Sequence, residues 1–138
     1  MPYSPMLVKP MREELASAGV EELLTPADVD RWMGQREGTA LLIVNSVCGC
    51  AAGGARPALR MSMLAGKKPT NMYTVFAGME TDAVAKAREF FQPYRPSSPQ
   101  IGLLKDGKLV KMFQRQDIEG RDPSAIAKSL VEAFNQFC

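Results

Sequence analysis

Two cysteines separated by one residue, Cys48 and Cys50, are the side chains in this sequence best suited to chemistry. They follow the apolar run 40–44, which is typical of a buried strand, and they precede a run of small residues that is compatible with a helix. Close thiols can exchange with disulfides, bind a metal or simply be half-buried in the fold. Their position where a strand becomes a helix favours redox chemistry.

Helix geometry predicts unequal roles for the two thiols. In a regular helix, residues two apart are rotated by about 200° from each other, so their side chains diverge. We therefore expect Cys48 just before the helix and Cys50 in its first turn, with Gly49 allowing the bend between them. The free N–H groups and positive dipole end of a helix start favour a thiolate at Cys48. This predicts Cys48 as the nucleophile and Cys50 as the resolving thiol.

Three further positions are candidates for the site, each with an ordinary alternative. Arg56 could bind an anionic substrate or, like Arg60, be a solvated or paired surface arginine. The Ser98-Pro99 bond lies in a proline-rich segment before a predicted strand, which makes it a candidate cis peptide, although trans is the commoner form. Cys138 is either a mobile terminal thiol or a third redox group, if the last helix brings it near the pair.

Composition narrows the function classes. The sequence has 138 residues, 46% hydrophobic and 23% charged, which fits one soluble globular domain spanning 1–138. A net charge of +2 gives no indication of nucleic-acid or membrane binding. No signal peptide or membrane span is evident, so we expect a cytoplasmic location, where thiols are kept reduced.

The absence of histidine excludes further mechanisms. Neither a Ser-His-Asp triad nor a Cys-His pair can form. The 3 cysteines are too few for a four-thiolate zinc site within one chain. For a redox protein we predict no bound metal and no resident cofactor.

Periodicity and turn signals place the elements along the chain. The pattern predicts a helix over about 8–18, with Pro10 in its first turn and Gly19 ending it. A short strand over 20–24 is followed by a helix that is capped by Thr25 and ends near Gln35. The run 39–45 predicts a strand buried on both faces. The later elements are a helix over 51–65 bent near Pro57, a strand over 72–77, a helix over 81–91 capped by Thr81, strands over 100–104 and 109–113 joined by the hairpin turn Asp106-Gly107, and a final helix over 123–137.

This order predicts an α/β fold. Helices alternate with strands, so most strands are parallel and covered by helices, while the hairpin adds an antiparallel pair. The expected architecture is three layers, α/β/α, around a mixed central sheet.

These features together resemble the thioredoxin-like superfamily, and within it the bacilliredoxin family. The resemblance covers nearly the whole chain, with an extra helix at about 8–18. Its residues are the segments 47–53 (VCGCAAG), 55–57 (ARP), 10–15 (PMREEL), 75–78 (VFAG), 96–99 (PSSP), 118–121 (IEGR) and 133–138 (AFNQFC).

The resemblance implies thiol–disulfide exchange on S-thiolated client proteins. Bacilliredoxins are understood to remove bacillithiol from cytosolic proteins, so bacillithiol or another low-molecular-weight thiol is the implied co-substrate. Cys48 would accept that thiol and Cys50 would resolve the adduct. Pro99, with Ser98 and Gly49 beside it, would shape the substrate groove.

Two alternatives stay open from the sequence. The same chemistry could act on protein disulfides, as an isomerase or weak reductase. A non-enzymatic module could instead hold a metal or iron–sulfur cluster with its cysteines, across a dimer. The C-G-C spacing, and a preceding strand without a buried acid, argue against a general thioredoxin-type reductase.

Overall fold

The computed structural model of the chain describes residues 3–33 and 37–138, which form five strands and six α-helices. In chain order these elements are α1 (Pro5–Ala16), β1 (Glu21–Glu22), α2 (Pro26–Met33), β2 (Thr39–Asn45), α3 (Arg56–Ser62), β3 (Asn71–Phe76), α4 (Thr81–Arg88), β4 (Gln100–Lys105), β5 (Lys108–Phe113), α5 (Arg115–Ile118) and α6 (Pro123–Phe137).

The strand that leads to the cysteines is the centre of the sheet. The strand order is β1-β3-β2-β4-β5, so β2 pairs with β3 in parallel and with β4 in antiparallel. Val44 near its end lies between Val75 and Gln100. The side chains of residues 41–44 are fully buried. The predicted mixed sheet and the two-sided burial of this strand are both confirmed.

Helices cover both faces of the sheet. On one face, Leu41 and Ile43 of β2 pack with residues of α1, α3 and α6, including Leu15, Leu59 and Phe134. On the other face, Leu42 and Val44 pack with residues of α2 and α4, including Val29, Val84 and Ala87. Alternate side chains of β2 therefore lie in two separate hydrophobic cores, as a three-layer α/β/α fold requires.

The first helix begins earlier than predicted. The Oγ of Ser4 accepts a hydrogen bond from the N–H of Met6, and Pro5 occupies the start of the helix. Pro10 therefore lies inside α1, and its predicted place in the first turn is wrong. The Ser4-Pro5 pair was the start signal, since serine caps helices and proline suits the first position. Gly19, at φ +90°, follows the helix in the left-handed conformation.

The two predicted threonine caps have different outcomes. At α2, Thr25 Oγ1 accepts from the N–H of Asp28 while the Asp28 carboxylate accepts from the N–H of Thr25, which confirms a reciprocal cap. The predicted end near Gln35 falls outside the described residues. At α4, Glu80 occupies the cap position and Thr81 is already helical, so the predicted cap at Thr81 is wrong. This helix ends at Arg88 and continues as a 3₁₀ turn over Glu89–Phe91.

The helix after the cysteines is interrupted close to the predicted bend. It is helical from Gly49, passes through a π-helical segment at Ala51–Ala55 and becomes α3, which ends at Ser62, before the predicted residue 65. The N–H of Arg56 donates to the carbonyl of Ala51, five residues back. Pro57 has no N–H to continue the ladder, which explains why the register changes here.

The C-terminal half largely follows the prediction. Asp106 and Gly107 both have positive φ, 51° and 83°, as a two-residue hairpin turn requires. The final helix, α6, has its predicted bounds. The single turn α5 was not predicted because four residues are too few for a periodic pattern. In the described part of the chain, no helix is long and apolar enough to cross a membrane.

Candidate active site

The dithiol lies where the sequence places it. Cys48 follows the end of β2 and precedes the first helical residue, Gly49, while Cys50 lies within the first helical turn. Both cysteines are free thiols and both are half-buried, whereas Gly49 is exposed. Because Cys48 stands just before the helix, its sulfur faces the N–H groups of the first turn.

The surroundings of Cys48 favour its thiolate. Burial raises the pKa of Cys48, but several donors outweigh it and bring the pKa below its ordinary value. The largest of these is the hydroxyl of Ser46, followed by the backbone N–H groups of Ala51 and Cys50 and by the Cys50 thiol. The Ser46 Oγ also accepts the N–H of Cys48 at 3.1 Å.

Cys50 is shifted in the opposite direction. Burial raises the pKa of Cys50, and the negative charge that develops on Cys48 raises it further. The positive charge of Arg115 acts against this rise. One thiol of the pair is therefore inclined to be the thiolate and the other to keep its proton, as a nucleophile and a resolving thiol would be.

A segment distant in sequence approaches the sulfur of Cys48. The carbonyl oxygen of Ser98 lies 3.8 Å from the Cys48 Sγ and accepts its hydrogen bond. The Ser98-Pro99 peptide bond is cis, which confirms the prediction at Pro99, and the Gln92-Pro93 bond is also cis. Pro99 itself is buried and Ser98 is half-buried. Ser98 therefore borders Cys48 through its backbone.

Two arginines hold this segment, and neither was predicted. Arg88 of α4 donates from Nη2 to the Ser97 carbonyl at 2.9 Å and to the Ser98 Oγ at 3.1 Å. Arg115 of α5 donates from Nη1 to the Ser98 carbonyl at 3.4 Å and pairs through Nε with Glu119 at 3.0 Å. The bond to Glu119, then the negative charges of the two cysteines, raise the pKa of Arg115.

The signals for these residues were partial. Arg115 lies three residues before the segment 118–121 that carried part of the family resemblance, but its proximity to the dithiol depends on the fold. Ser46 had a local signal, since a serine hydroxyl often accepts the N–H two residues on. Arg88 had no local signal.

Arg56 is not a substrate-binding residue on the surface. Its side chain is only 3% exposed, and its guanidinium is bonded to Glu14, Asn45 and Ser46. The expectation that Arg56 binds an anionic substrate is therefore wrong, and so is the alternative of a surface arginine. The burial of Arg56 is not predictable from the local pattern, because its carboxylate partner Glu14 lies 42 residues away and Asn45 and Ser46 meet its side chain only in the folded chain. Arg60, by contrast, is 52% exposed and lies 3.5 Å from Glu14.

Cys138 lies far along the last helix. Ile126 of α6 packs beside Gly54, since a Cβ on Gly54 would lie 3.3 Å from its Cδ1. From Ile126 to Cys138 the helix rises by about 18 Å, and Cys138 is exposed. Across residues 3–33 and 37–138, no three His, Cys, Asp or Glu side chains converge as metal ligands would.

An open cleft lies beside Cys50. It has a volume of about 340 Å³ and is lined by Gly49, Cys50, Gly53, Gly54, Ile118, Gly120 and Arg121. At Gly49, Gly53 and Gly120 an added Cβ would meet nothing within 4 Å, so the backbone there faces open space. A small molecule could therefore approach Cys50 over the glycine-lined part of this cleft.

Comparison with known proteins identifies the family. A family model described as "Disulphide isomerase" matches residues 3–138. The bacilliredoxin of Halalkalibacterium halodurans is 48% identical over 136 residues, covering 99% of this chain and 94% of the relative. The chain belongs to the bacilliredoxin family. Another bacilliredoxin, from Cytophaga hutchinsonii, is 48% identical over 134 residues, covering 97% of this chain and 98% of the relative.

Solved structures show that this bacilliredoxin-family chain has the thioredoxin fold. The thioredoxin of Fasciola hepatica superposes with a TM-score of 0.54 at 18% identity, covering 86% of this chain and 100% of that one. A Schistosoma mansoni thioredoxin gives 0.56 at 16% identity, covering 83% and 97%. Fold and family together support thiol–disulfide oxidoreductase activity.

Proposed function

We propose that this protein removes bacillithiol, or the equivalent low-molecular-weight thiol of its host, from S-thiolated proteins in the cytoplasm. The observation that carries the proposal is the placement of two free thiols one residue apart: Cys48 lies just before the helix, 3.8 Å from the Ser98 carbonyl, and Cys50 lies in the first turn beside an open cleft. The lowered pKa of Cys48 and the raised pKa of Cys50 agree with this placement. A dethiolating enzyme needs one sulfur that attacks and a second that waits for the adduct. The family membership supplies the class of substrate.

The reaction would proceed in two exchanges. The Cys48 thiolate attacks the bacillithiol sulfur of the mixed disulfide, the bond to the client breaks, and the client leaves as a thiolate. Cys50 then loses its proton and attacks the Cys48 sulfur, bacillithiol leaves as a thiolate, and a Cys48–Cys50 disulfide forms. The client disulfide is reduced and the dithiol is oxidised by the same two electrons. A thiol reductant must then reduce the dithiol again.

The surroundings of the pair suit this sequence of steps. The lowered pKa of Cys48 raises the fraction of this thiol that is ionised, and the thiolate is the form that attacks a disulfide. The cleft beside Cys50 offers about 340 Å³ for the non-sulfur part of a small thiol attached to Cys48. The raised pKa of Cys50 would keep this thiol protonated while Cys48 attacks, so that one sulfur of the pair is the attacking thiolate.

Disulfide isomerisation is the second candidate. It is favoured by the description of the matching family model, "Disulphide isomerase". A low-pKa thiol that attacks and a resolving thiol that waits would also serve an isomerase, because the mixed disulfide must last long enough for a client to rearrange. The two functions share the first attack by Cys48. In isomerisation a client thiol, rather than Cys50, then displaces Cys48 from the mixed disulfide, so the dithiol is not oxidised.

Parallel rate measurements on two clients separate the candidates. One client carries bacillithiol on a single cysteine, and the other has scrambled disulfides of its own. We expect the protein to release bacillithiol at a rate well above its rate of disulfide rearrangement. Comparable rates on both clients, or faster rearrangement, would contradict the proposed preference. The Cys48→Ser variant should lose both activities and provides the background for each assay.

A further inference from the structure

A buried arginine connects three elements of the fold beneath the dithiol. Arg56, the first residue of α3, is only 3% exposed. Its Nη1 donates to the Asn45 Oδ1 at 3.0 Å and to the Ser46 carbonyl at 2.6 Å, while its Nε donates to the Glu14 Oε1 at 2.9 Å. Removing a guanidinium from water is unfavourable unless it is paired and bonded in this way. The burial of the Arg56 guanidinium with this set of contacts indicates a role beyond packing.

The contacts of Arg56 lead directly to Cys48. Asn45 Oδ1, which accepts from Arg56, also accepts the N–H of Ser46 at 2.9 Å. Both backbone polar groups of Ser46 are therefore held, the N–H by Asn45 and the carbonyl by Arg56. The side chain of Ser46 then meets Cys48, since its Oγ accepts the Cys48 N–H and its hydroxyl favours the thiolate.

The first helix completes the arrangement. Glu14 of α1 supplies the carboxylate that balances the charge of Arg56, and the Met11 carbonyl accepts from the Asn45 Nδ2 at 3.2 Å. Asn45 is thus held between α1 and Arg56. A series of hydrogen bonds through Arg56 and Ser46 therefore connects Glu14 of α1 to Cys48.

We propose that Arg56 is a positioning residue for the attacking thiol: it fixes the backbone of Ser46 so that the Ser46 hydroxyl stays on Cys48, and Glu14 holds its guanidinium in place. The inference rests on the proposed role of Cys48 as the attacking thiol. The task suits arginine, whose planar fork donates in two directions at once, whereas the ammonium of lysine is a compact point charge.

Other charged and titratable groups also face Cys48 and must stay constant in a test. Cys50 lies in the first turn of the helix that follows Cys48. Arg115 acts from α5 together with its partner Glu119, and Arg88 of α4 holds the Ser97-Ser98 segment. None of these contacts Arg56 among the described hydrogen bonds and ion pairs. The effect of substituting Arg56 on the alkylation of Cys48 can therefore be measured while the contacts of these other groups stay the same.

The test measures the pH dependence of Cys48 alkylation by iodoacetamide. All variants are made with Cys50→Ser and Cys138→Ser, so that Cys48 is the sole thiol. Arg56→Lys keeps the charge but loses the fork, and we expect its alkylation midpoint to rise by about 0.5 to 1 pH unit. The matched control is Arg60→Lys, which alters the neighbouring arginine on the same Glu14 but reaches neither Asn45 nor Ser46. Its midpoint should not move.

A double-mutant cycle identifies the route. Ser46→Ala should by itself raise the alkylation midpoint of Cys48. Ser46→Thr keeps the hydroxyl, so its midpoint should lie close to that of the protein with Ser46. Within the Ser46→Ala background, Arg56→Lys should have no further effect. An unchanged midpoint in folded Arg56→Lys would overturn the inference, and so would a shift that persists in the Ser46→Ala background, because Arg56 would then act by another route.

A second variant covers the case in which Arg56→Lys does not fold. Glu14→Gln keeps the shape of the side chain and removes its charge, and we expect a smaller rise of the midpoint in the same direction. No shift in folded Glu14→Gln would then overturn the inference. The assay needs no thiolated client, so its failure is distinct from failure of the proposed function, which the client assays measure.

Discussion

The Ser98 carbonyl oxygen and the Cys48 Sγ are 3.8 Å apart, although fifty residues separate them in sequence. The same oxygen accepts a hydrogen bond from Arg115 at 3.4 Å. The end of the proline-rich segment and the start of α5 therefore meet beside Cys48. When Cys48 ionises it ceases to be a donor, and Arg115 remains as the donor to this carbonyl. The Ser98 carbonyl is thus shared by the Cys48 thiol and Arg115.

The opposite pKa shifts of the two cysteines predict different pH profiles. The pKa of Cys48 lies below its ordinary value, so at any pH below that value Cys48 is more ionised than a cysteine in an unstructured peptide. Its alkylation rate should level off at lower pH than that of the peptide. The pKa of Cys50 is raised, so the alkylation rate of Cys50 should still increase with pH where the rate of Cys48 has levelled off. Site-resolved mass spectrometry after timed iodoacetamide pulses measures both. Coincident profiles would contradict the unequal roles.

Arg115→Gln should slow resolution more than attack. Arg115 opposes the rise of the Cys50 pKa, so its removal makes the resolving thiol harder to ionise. Its side chain is 46% exposed, and solvent screening limits the effect to about 2- to 5-fold in the rate of Cys48–Cys50 disulfide formation. Stopped-flow release of the small thiol from a preformed Cys48 adduct measures that rate. Lys108→Gln, an exposed cation on β5, is the matched control and should leave the rate unchanged.

Cys138→Ser should leave the single-turnover reaction intact. Cys138 is exposed at the end of α6, about 18 Å along the helix from the residue that packs beside Gly54. The Cys48–Cys50 disulfide should therefore form at the wild-type rate after reaction with a thiolated client. A several-fold slower reaction, or a disulfide between Cys138 and either other cysteine within one chain, would show that α6 brings this thiol to the site.

Gly102→Ala should destabilise the fold without changing thiol chemistry. A Cβ at Gly102 of β4 would overlap the ring of Phe91, which is almost fully buried behind it. Overpacking of this kind costs about 1–3 kcal/mol in the free energy of unfolding, which urea titration measures. Gly66→Ala provides the comparison, because nothing lies within 4 Å of its Cβ position and its φ is not positive. Equal stability of the two variants would contradict this account of the packing.

The sequence predicted those features whose causes are local. The apolar run of β2, the Asp106-Gly107 turn and the stripe of α6 each contain their signal within a few residues. The placement of Cys48 before the helix and Cys50 within it followed from helix geometry alone. The Ser4-Pro5 start of α1 was equally local but was overlooked.

The features that could not be predicted depend on partners distant in sequence. Arg56 is buried because Glu14 and Asn45 meet it in the folded chain. Arg115 reaches the dithiol because β5 returns beside β4 and places α5 at the end of the sheet that carries the cysteines. A residue pattern cannot show which arginine becomes interior and which lies near a thiol, since both outcomes depend on contacts that form only in the folded chain.

The most direct test of the central claim is the mass of the Cys50→Ser variant after reaction with a bacillithiolated client. If Cys48 attacks and Cys50 resolves, this variant should carry one bacillithiol on Cys48, located by peptide mapping, and the client thiol should be free. Cys48→Ser should carry no adduct, and the wild-type protein should finish as the Cys48–Cys50 disulfide. Absence of an adduct on Cys48 in folded Cys50→Ser, or an equal adduct on Cys50 in Cys48→Ser, would contradict the account.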